Sequence, residues 1–411
     1  MDYVPSRFVV EKKFDDSVLL MATSTGAIVK LSPGAYTCWQ EGEYEKLGLE
    51  QFLEWKFIVP AGTDELAEQK ALREDQSEFN RLSLVIAPTL DCNARCWYCY
   101  EEGVLPITMS DDTANSIIEF VSSKIAGTDK RLKIMWFGGE PLMATEIIEK
   151  LTTAFLDLTD NYSALITTNG SMMTPDVVAR YGDWRIKQIQ VAIDGPEEIT
   201  NRIKNYRDPE RHNYRTTIEN IKHVLRSCPE IEISLRVNFD RNNADAISKL
   251  SEELKPLLAE YKQLSIYSAP VICDPMNDVG CDIEHANRVA NDFSRRVTDS
   301  KLTRSVTNRS LPRPKACMLH IESSFSVDPE GNMYRCQHDL GRKEKTIGNV
   351  RDGSIKPVDY DVLPRCQKCA YLPLCQGGCA GMEGSNIGRC AMLPQYVDVV
   401  LRQYYDGKEV A

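Results

Sequence analysis

Three cysteines lie close together in residues 91–100, at positions Cys92, Cys96 and Cys99. Three thiolates can ligate three irons of a cubane 4Fe-4S cluster, and the fourth iron then lacks a protein ligand. Because that iron is open to a small molecule, it is the reactive position. A zinc site and scattered buried thiols are the alternatives, and they compete best when a Cys-x-x-Cys pair stands alone. The triplet therefore favours the cluster.

A second group of seven cysteines lies in the C-terminal hundred residues: Cys317, Cys336, Cys366, Cys369, Cys375, Cys379 and Cys390. The run Asp-Pro-Glu-Gly at 328–331 predicts a tight turn, in which Gly331 takes a backbone conformation that larger residues resist. That turn would return the strand before Cys336 towards Cys317. Residues 366–379 are rich in Pro and Gly, which suits a region organised by metal. Structural zinc is the alternative here.

The elements that must position the first cysteines alternate between β-rich runs and amphipathic stretches. The predicted strands are 82–88, 133–137, 164–168, 188–193, 232–239 and 263–269. The predicted helices are 112–125, 145–158, 174–181, 214–225 and 244–257. This alternation predicts right-handed βαβ units around a parallel sheet, and six strands fall short of the eight that close a barrel. We therefore predict an open, partial (β/α)6 barrel with the cysteine loop at a strand's carboxyl end, where ligands bind.

The regions flanking this repeat differ from it. Residues 1–80 contain a predicted β-hairpin at 17–31, short helices around 34–40 and 49–56, and a helical connector at 65–73. Residues 271–315 are polar and are predicted to form a bridge with one helix near 283–297. The predicted domains are therefore 1–80, 81–270, 271–315 and 316–411.

Composition excludes several classes of protein. A chain of 411 residues with 42% hydrophobic and 27% charged residues is typical of a globular protein of two or three domains. No run approaches the ~18 apolar residues of a membrane span, and the first residues lack a secretory signal's apolar core, so we expect a cytoplasmic protein without a membrane partner. In a reducing compartment, clustered cysteines are more often metal ligands than disulfides. The net charge of −11 argues against a nucleic-acid partner.

The first cysteine spacing, with the aromatic residue Tyr98 just before the last thiol, resembles the signature of the radical S-adenosylmethionine (SAM) enzymes. The second group of cysteines, together with Gly331, resembles the SPASM domain of peptide- and protein-modifying members of that family. The resemblance implies a partial (β/α)6 radical SAM barrel, a small α+β N-terminal domain and a cysteine-rich, iron–sulfur C-terminal SPASM domain. Residues 1–80 loosely resemble the winged-helix-like peptide-recognition domains of such enzymes, and a structural cap is the alternative. Cys38 and Cys228 match neither motif and are expected to be ordinary half-buried thiols.

The SPASM resemblance implies two auxiliary 4Fe-4S clusters besides the SAM-binding one. The outer cluster would be held by Cys366, Cys369, Cys375 and Cys390. The inner cluster would be held by Cys317, Cys336 and Cys379. Relatives with a complete inner set have a further cysteine just upstream, but residues 311–316 contain none. The inner cluster therefore has an open iron, recruits Cys273 or Cys281, or is of another type.

The same resemblance implies a SAM pocket at successive strand ends. Its predicted contacts are Tyr98, Gly138, Gly139, Glu140, Asn169, Asp194 and Arg236. The two glycines would let the backbone approach the methionine amino group, which Glu140 would bind, while Asn169 would be a polar contact. Asp194 would bind ribose hydroxyls, Tyr98 would contact adenine, and Arg236 would pair with the SAM carboxylate or form a surface salt bridge.

The function implied is that of a radical SAM oxidoreductase that matures a ribosomally synthesised precursor peptide. A 5′-deoxyadenosyl radical would take a hydrogen atom from the peptide, and a Cys sulfur-to-carbon thioether is the expected product. A carbon–carbon crosslink and sulfatase (formylglycine) maturation are the alternatives, and an electron-transfer or zinc-scaffold protein is the non-enzymatic one. The expected partners are the peptide and an external one-electron donor of the flavodoxin or ferredoxin type. No catalytic acid or base can be named from the sequence.

Overall fold

The computed structural model describes residues 2–77, 80–271, 321–356, 366–375 and 389–407, together with positions 289, 318 and 364. The chain divides into two compact units. The terminal unit comprises Met1–Glu78, Thr307–Ile321 and Asp359–Ala411, and the barrel unit comprises Phe79–Val306 and Glu322–Val358. The helix predicted near 283–297 lies largely outside the described residues, as do four cysteines: Cys273, Cys281, Cys317 and Cys379. The domain borders drawn from the motifs stay a prediction.

Residues 2–77 of the terminal unit form five strands: β1 (Tyr3–Pro5), β2 (Val9–Lys13), β3 (Val18–Ala22), β4 (Ala27–Leu31) and β5 (Ile58–Pro60). Strands β2, β3 and β4 make an antiparallel sheet, and β1 pairs with β5. The helices are α1 (Pro33–Glu41), α2 (Leu49–Glu54) and α3 (Glu65–Ser77). Ser32 caps α1, and Gly42, at φ 77°, ends it. The predicted hairpin and helices are confirmed, whereas β1, β2 and β5 were not predicted.

The barrel unit contains six parallel strands: β6 (Arg81–Thr89), β7 (Arg131–Gly138), β8 (Tyr162–Thr168), β9 (Ile186–Ile193), β10 (Glu232–Phe239) and β11 (Leu264–Pro270). Its helices are α4 (Asp111–Ile125), α5 (Thr145–Leu158), α6 (Pro175–Val178), α7 (Glu197–Lys204), α8 (Tyr214–Ser227) and α9 (Ile247–Glu260). Among these six strands, neighbours in the sheet are neighbours in sequence. The predicted α/β class with six parallel strands is confirmed, and only α7 among these elements was not predicted.

The strands of this sheet bury one face against the helices and leave the other polar. In β10, Ile233, Leu235 and Val237 are fully buried in the main core, while Ser234 and Arg236 are half-buried on the opposite face. This alternation follows from the two-residue period of a strand. Because all six strands are parallel, the loops that follow them gather at one edge of the sheet.

Residues 322–356 extend the same sheet beyond β6. Strand β12 (Ser324–Val327) pairs in parallel with β6, and β13 (Asn332–Tyr334) and β14 (Gly348–Asn349) continue it in antiparallel fashion. The turn between β12 and β13 has Gly331 at φ 84°, and Gly331 N–H donates to Asp328 O at 3.0 Å. The predicted tight turn at 328–331 is confirmed.

The terminal unit is completed by two helices near the other end of the chain, α10 (Leu372–Cys375) and α11 (Arg389–Tyr405). The five residues of β3 are buried on both faces. One face packs with α1 and α2 through residues such as Leu20, and the other packs Leu19 and Met21 against Leu374 and Leu401. The N-terminal sheet and the C-terminal segments therefore share a core. Of the helices in the described ranges, none is long and apolar enough to cross a bilayer.

Candidate active site

The loop with the first three cysteines, residues 91–100, follows β6 directly. Its base is closed where Leu90 N–H donates to Ile107 O at 2.8 Å, and Cys99 N–H donates to Cys96 O at 3.1 Å, so the chain turns between the second and third thiols. Cys92, Cys96 and Cys99 are all partly exposed. The structure thus brings the three predicted ligands together on one short loop at the carboxyl edge of the sheet.

The surroundings of the Cys92 sulfur fit iron–sulfur ligation. Its Sγ accepts a hydrogen bond from Ala94 N–H at 3.4 Å and lies 4.0 Å from Asn169 Nδ2. N–H groups directed at ligand sulfurs are among the features that tune iron–sulfur clusters. Burial raises the pKa of Cys92 and of Cys99 to about 12. In the metal-free protein both thiols are therefore protonated near pH 7, and a metal must displace their protons.

Loading of this loop with iron and sulfide is expected to accelerate as the pH rises from about 7 to 9. Burial holds the pKa of Cys92 and of Cys99 at about 12 in the metal-free protein, so both are neutral throughout that range. Below its pKa, a thiol gains about tenfold in thiolate for each pH unit, and the thiolate is the ligand. The rate of cluster absorbance growth at fixed iron and sulfide measures this effect. A rate that falls or stays constant with pH would contradict it.

Of the two predicted glycines, Gly138 lies against the end of β6 and Gly139 against the start of the cysteine loop. A Cβ at Gly139 would overlap Asp91 O and come within 2.6 Å of Asp91 C, and one at Gly138 would lie 2.9 Å from Ala87 Cβ. Gly139 N–H donates to Thr89 O at 3.1 Å. The absence of side chains at 138 and 139 therefore lets the end of β7 dock on the start of the loop.

Glu140 is fully buried beside them. Its carboxylate accepts hydrogen bonds from Thr168 Oγ1 at 2.7 Å, Asn169 N–H at 2.8 Å and Leu142 N–H at 3.2 Å. Burial raises the pKa of Glu140, and these hydrogen bonds oppose that shift. The carboxylate joins the ends of β7 and β8 and keeps further lone pairs for the predicted SAM ammonium group.

Asn169 belongs to a buried amide and hydroxyl network under the loop. Its Nδ2 donates to Asn93 Oδ1 at 2.7 Å, and its Oδ1 accepts from Ser171 Oγ at 2.7 Å. Asn93 Nδ2 donates to Ser171 Oγ at 3.0 Å, which closes the network. Asn93 lies between Cys92 and Cys96, so this network ties the loop to the end of β8. Its polar atoms are occupied by protein groups, and the predicted contact of Asn169 with SAM stays a prediction.

Asp194 and Tyr98, both predicted SAM contacts, contact each other. Tyr98 Oη donates to Asp194 Oδ1 at 2.6 Å, and Asn238 Nδ2 reaches the same oxygen at 3.2 Å. Asp194 Oδ2 lies 3.1 Å from Lys204 Nζ, and both side chains are almost completely buried. Burial alone would lower the pKa of Lys204, but the charge of Asp194 raises it well above its ordinary value.

Arg236 points into the same region from β10. Its Nε donates to Asn238 Oδ1 at 2.9 Å, as expected for two residues on one face of a strand. Nearby, the Tyr100 ring stacks on His338 at 4.8 Å and on Phe137 at 6.0 Å between centroids. Burial and then the Arg236 charge lower the pKa of His338, which leaves it neutral at pH 7. The stack joins the cysteine loop to residues just after Cys336.

Three of the predicted outer ligands lie together in the terminal unit. Cys369 N–H donates to Cys366 O at 3.1 Å in a tight turn, and Cys375 ends α10. Cys366 packs beside Phe8, and Thr23 Oγ1 donates to the Ala370 carbonyl at 2.5 Å. The N-terminal strands therefore support this segment directly. Cys336 belongs to the barrel unit, Cys317 and Cys379 lie outside the described residues, and Cys390 is described only as a position in α11.

Several residues that shape the site were not predicted: Asn93, Ser171, Lys204, Arg207 and Asn238. The signal for Lys204 was available, since α7 begins with Glu197 and Glu198, ends with basic residues and is capped by Asn205 in a left-handed conformation. Such a charge distribution is typical of a helix. The amide network had no comparable signal, because its members meet only in the folded sheet.

Comparisons with known proteins agree with this geometry. A family model described as the radical SAM superfamily matches residues 86–251. The radical SAM cyclopropyl synthase TigE of Paramaledivibacter caminithermalis is 21% identical over 385 residues, covering 82% of this chain and 77% of that protein. The cysteine-type anaerobic sulfatase-maturating enzyme of Clostridium perfringens is 23% identical over 352 residues, covering 74% of this chain and 90% of that protein.

Two solved structures share the fold. Native anSMEcpe with bound AdoMet and Cp18Cys peptide aligns with a TM-score of 0.61 and 18% identity, over 79% of this chain and 98% of that one. Streptococcus suis SuiB bound to precursor peptide SuiA aligns with a TM-score of 0.52 and 14% identity, over 92% of this chain and 95% of that one. The matched residues 86–251 include the cysteine loop and the ends of β7, β8 and β9. Residues 86–251 therefore form a radical SAM domain, and the enzymes of that superfamily use a 4Fe-4S cluster and SAM.

Proposed function

We propose that this enzyme matures a ribosomally synthesised precursor peptide by joining a cysteine sulfur to a carbon atom in a thioether crosslink. The observation that carries the proposal is the packing of the N-terminal sheet on the segment with Cys366, Cys369 and Cys375. Within the described residues that sheet ends at β2 on one side and at β4 on the other. An extended peptide can add to such an edge through main-chain hydrogen bonds. Peptides bound to anSMEcpe and to SuiB support the same substrate class.

The cysteine inventory supports sulfur as the crosslinked atom. The inner set, Cys317, Cys336 and Cys379, is one cysteine short of four, since residues 311–316 contain none. A 4Fe-4S cluster with three cysteine ligands has one iron left that a substrate thiolate can bind. The Cys366, Cys369 and Cys375 segment would hold a further cluster with Cys390.

Cys92, Cys96 and Cys99 would hold the cluster that, together with SAM, would supply a 5′-deoxyadenosyl radical able to remove one hydrogen atom from a substrate carbon. Joining that carbon to the cysteine sulfur would release the thiol proton and one electron, which a cluster held by Cys366, Cys369 and Cys375 would accept. The electron that starts the cycle comes from an external flavodoxin- or ferredoxin-type donor.

The chain's own residues orient the reactants. The buried Glu140 carboxylate can accept hydrogen bonds from an ammonium group, and the Arg236 guanidinium can donate two to a carboxylate. On the polar face of the sheet, Tyr267 Oη donates to Gln190 Oε1 at 2.8 Å. This hydrogen bond fixes both side chains on the face that we assign to the substrate. Holding reactants in place in this way is the protein's share of the catalysis.

Formylglycine formation is the second candidate, because the chain is similar to a cysteine-type sulfatase-maturating enzyme. The two reactions leave different products. A thioether keeps the sulfur in the peptide and removes two hydrogen atoms from it, whereas formylglycine formation releases the sulfur and leaves an aldehyde. A carbon–carbon crosslink also removes two hydrogen atoms but leaves the cysteine thiol free.

The reconstituted enzyme, given reductant, SAM and a cysteine-bearing peptide encoded beside its gene, is expected to yield a peptide lighter by two hydrogens with no free thiol. Mass spectrometry before and after thiol alkylation measures both changes. Cys375→Ala is expected to retain SAM cleavage but to lose this product, because the electron from crosslinking then has no acceptor. The control is Cys38→Ala, which changes a thiol outside both motifs. An alkylatable thiol or an aldehyde in the product would contradict the thioether, and an unchanged yield with Cys375→Ala would contradict the auxiliary role.

A further inference from the structure

We propose that residues 204–207, which we call the clamp, position the cysteine loop for the cluster and SAM, with Lys204 and Arg207 as its two positioning side chains. The clamp begins at the last residue of α7 and crosses the loop between its first and second cysteines. The inference depends on membership of the radical SAM superfamily and is independent of the peptide substrate.

The backbone of the clamp pairs with the backbone of the cysteine loop. Arg95 N–H donates to Lys204 O at 2.8 Å, and Arg207 N–H donates to Asn93 O at 2.9 Å. Both partners lie between Cys92 and Cys96. These two hydrogen bonds fix the backbone that separates the first two thiols, in the way that pairing with a short strand would.

The Lys204 side chain secures the second half of the loop. Its Nζ lies 3.1 Å from Asp194 Oδ2 and 3.2 Å from Tyr98 Oη, and its side chain is only 3% exposed. Tyr98 stands between Cys96 and Cys99, and its hydroxyl also donates to Asp194. A buried cation thus fixes a loop side chain to the end of β9. Asp194 thus contacts both Tyr98 and Lys204.

The Arg207 side chain secures the start of the loop. Its guanidinium forms an ion pair with the Asp91 carboxylate, and its Nη1 lies 3.2 Å from Asp91 Oδ2. Asn205 turns the chain from α7 into the clamp at φ 43°, a left-handed conformation that Asn tolerates better than most residues. Lys204 and Arg207 therefore reach opposite ends of the same ten-residue loop.

This arrangement bears on chemistry because a cluster with an open iron needs its three sulfurs held in one geometry. Groups that orient metal ligands through hydrogen bonds change metal affinity or activity by about 10- to 100-fold when they are removed. The clamp contacts Asp91, which precedes the first cysteine, and Asn93, Arg95 and Tyr98, which lie between the cysteines. Its expected effect is on loop order and SAM binding.

Lys204→Met tests the inference, with Lys204→Arg as the variant that restores the charge. In metal-free protein, amide hydrogen exchange within residues 91–100 is expected to accelerate in Lys204→Met and to return towards the wild-type rate in Lys204→Arg. In reconstituted protein, the SAM dissociation constant, read from the SAM-induced change in the electron paramagnetic resonance spectrum, is expected to rise by about tenfold or more in Lys204→Met. Lys150→Met removes an exposed ion pair with Asp111 elsewhere in the barrel unit and is the matched control.

Wild-type exchange rates and SAM affinity in Lys204→Met would overturn the inference, as would an equal loss in Lys150→Met. Should Lys204→Met fail to fold, Arg207→Leu replaces it, because that side chain is 39% exposed and its ion pair lies at the surface. Arg207→Leu is expected to accelerate exchange at the start of the loop and to weaken SAM binding. Unchanged values in a folded Arg207→Leu protein would equally overturn the inference.

Discussion

Cys96→Ala is expected to abolish SAM cleavage and to remove most of the iron from the barrel unit. Cys96 is the middle one of the three predicted ligands, and the two remaining thiolates would retain a site-differentiated cluster poorly. Without the cluster there is no open iron for SAM and no electron to split it. Release of 5′-deoxyadenosine under strict anaerobiosis, together with iron and sulfide analysis, measures both losses.

The matched control is Cys228→Ala, which removes another partly buried thiol of the barrel unit that belongs to neither cysteine motif. It is expected to leave SAM cleavage and iron content at wild-type levels. Turnover retained by Cys96→Ala at the level of Cys228→Ala would refute the assignment of the loop. Zinc in place of iron in the anaerobically purified wild type would refute it as well.

Gly139→Ala adds one methyl group, and we expect it to be more damaging than any other methyl group added near the site. The new Cβ would overlap Asp91 O and approach Leu90 C to 2.9 Å, and backbone atoms cannot rotate away as a side chain can. The hydrogen bond from Glu140 N–H to Asp91 O, now 2.9 Å, would be displaced. Overpacking of this kind costs about 1–3 kcal/mol. We therefore expect a lower melting temperature and a lower iron content, measured by calorimetry and metal analysis.

Gly182→Ala is the control for this variant, because a Cβ there meets nothing within 4 Å. It is expected to match the wild type in melting temperature and iron content. A Gly139→Ala protein as stable and as well loaded as Gly182→Ala would mean that the loop does not depend on its contact with the end of β7.

The barrel could be predicted from the sequence because its signals are local. Each of the six strands is a β-rich run, and the alternation with amphipathic helices restricts the topology to parallel neighbours. Strand β10 was predicted with its observed bounds, Glu232–Phe239, and helix α5 likewise, Thr145–Leu158. The cysteine motif was equally local. Its place after β6 followed from the order of elements.

The hydrogen-bond partners within the site could not be predicted in the same way. Asn93 and Asn169 are 76 positions apart, and Tyr98 and Asn238 are 140 positions apart, so only the folded sheet brings them together. The spacing of residues along one strand says which face they share but not which side chain on another strand they meet. For this reason the sequence pointed to Asp194 as a SAM contact but not to Lys204 as its partner.

The shared core of the terminal unit was also missed, although a signal existed. All five residues of β3, Val18–Ala22, are apolar, and an unbroken apolar run is typical of a strand covered on both faces. The run was interpreted only as half of a hairpin. The side chains that pack on the second face, which include Leu374 and Leu401, lie hundreds of residues away in the sequence.

The packing of C-terminal residues on the second face of β3 has a consequence for folding during synthesis. Thr23 and the Ala370 carbonyl that it contacts are separated by 347 positions, and Lys12 and Asp398, which form an ion pair, by 386. A ribosome adding about 5–20 residues each second needs tens of seconds to cover such distances. Until then, Leu19 and Met21 have only nearby residues such as Val10 and Ile28 to pack against. The terminal unit can therefore complete this core only after nearly the whole chain has been synthesised.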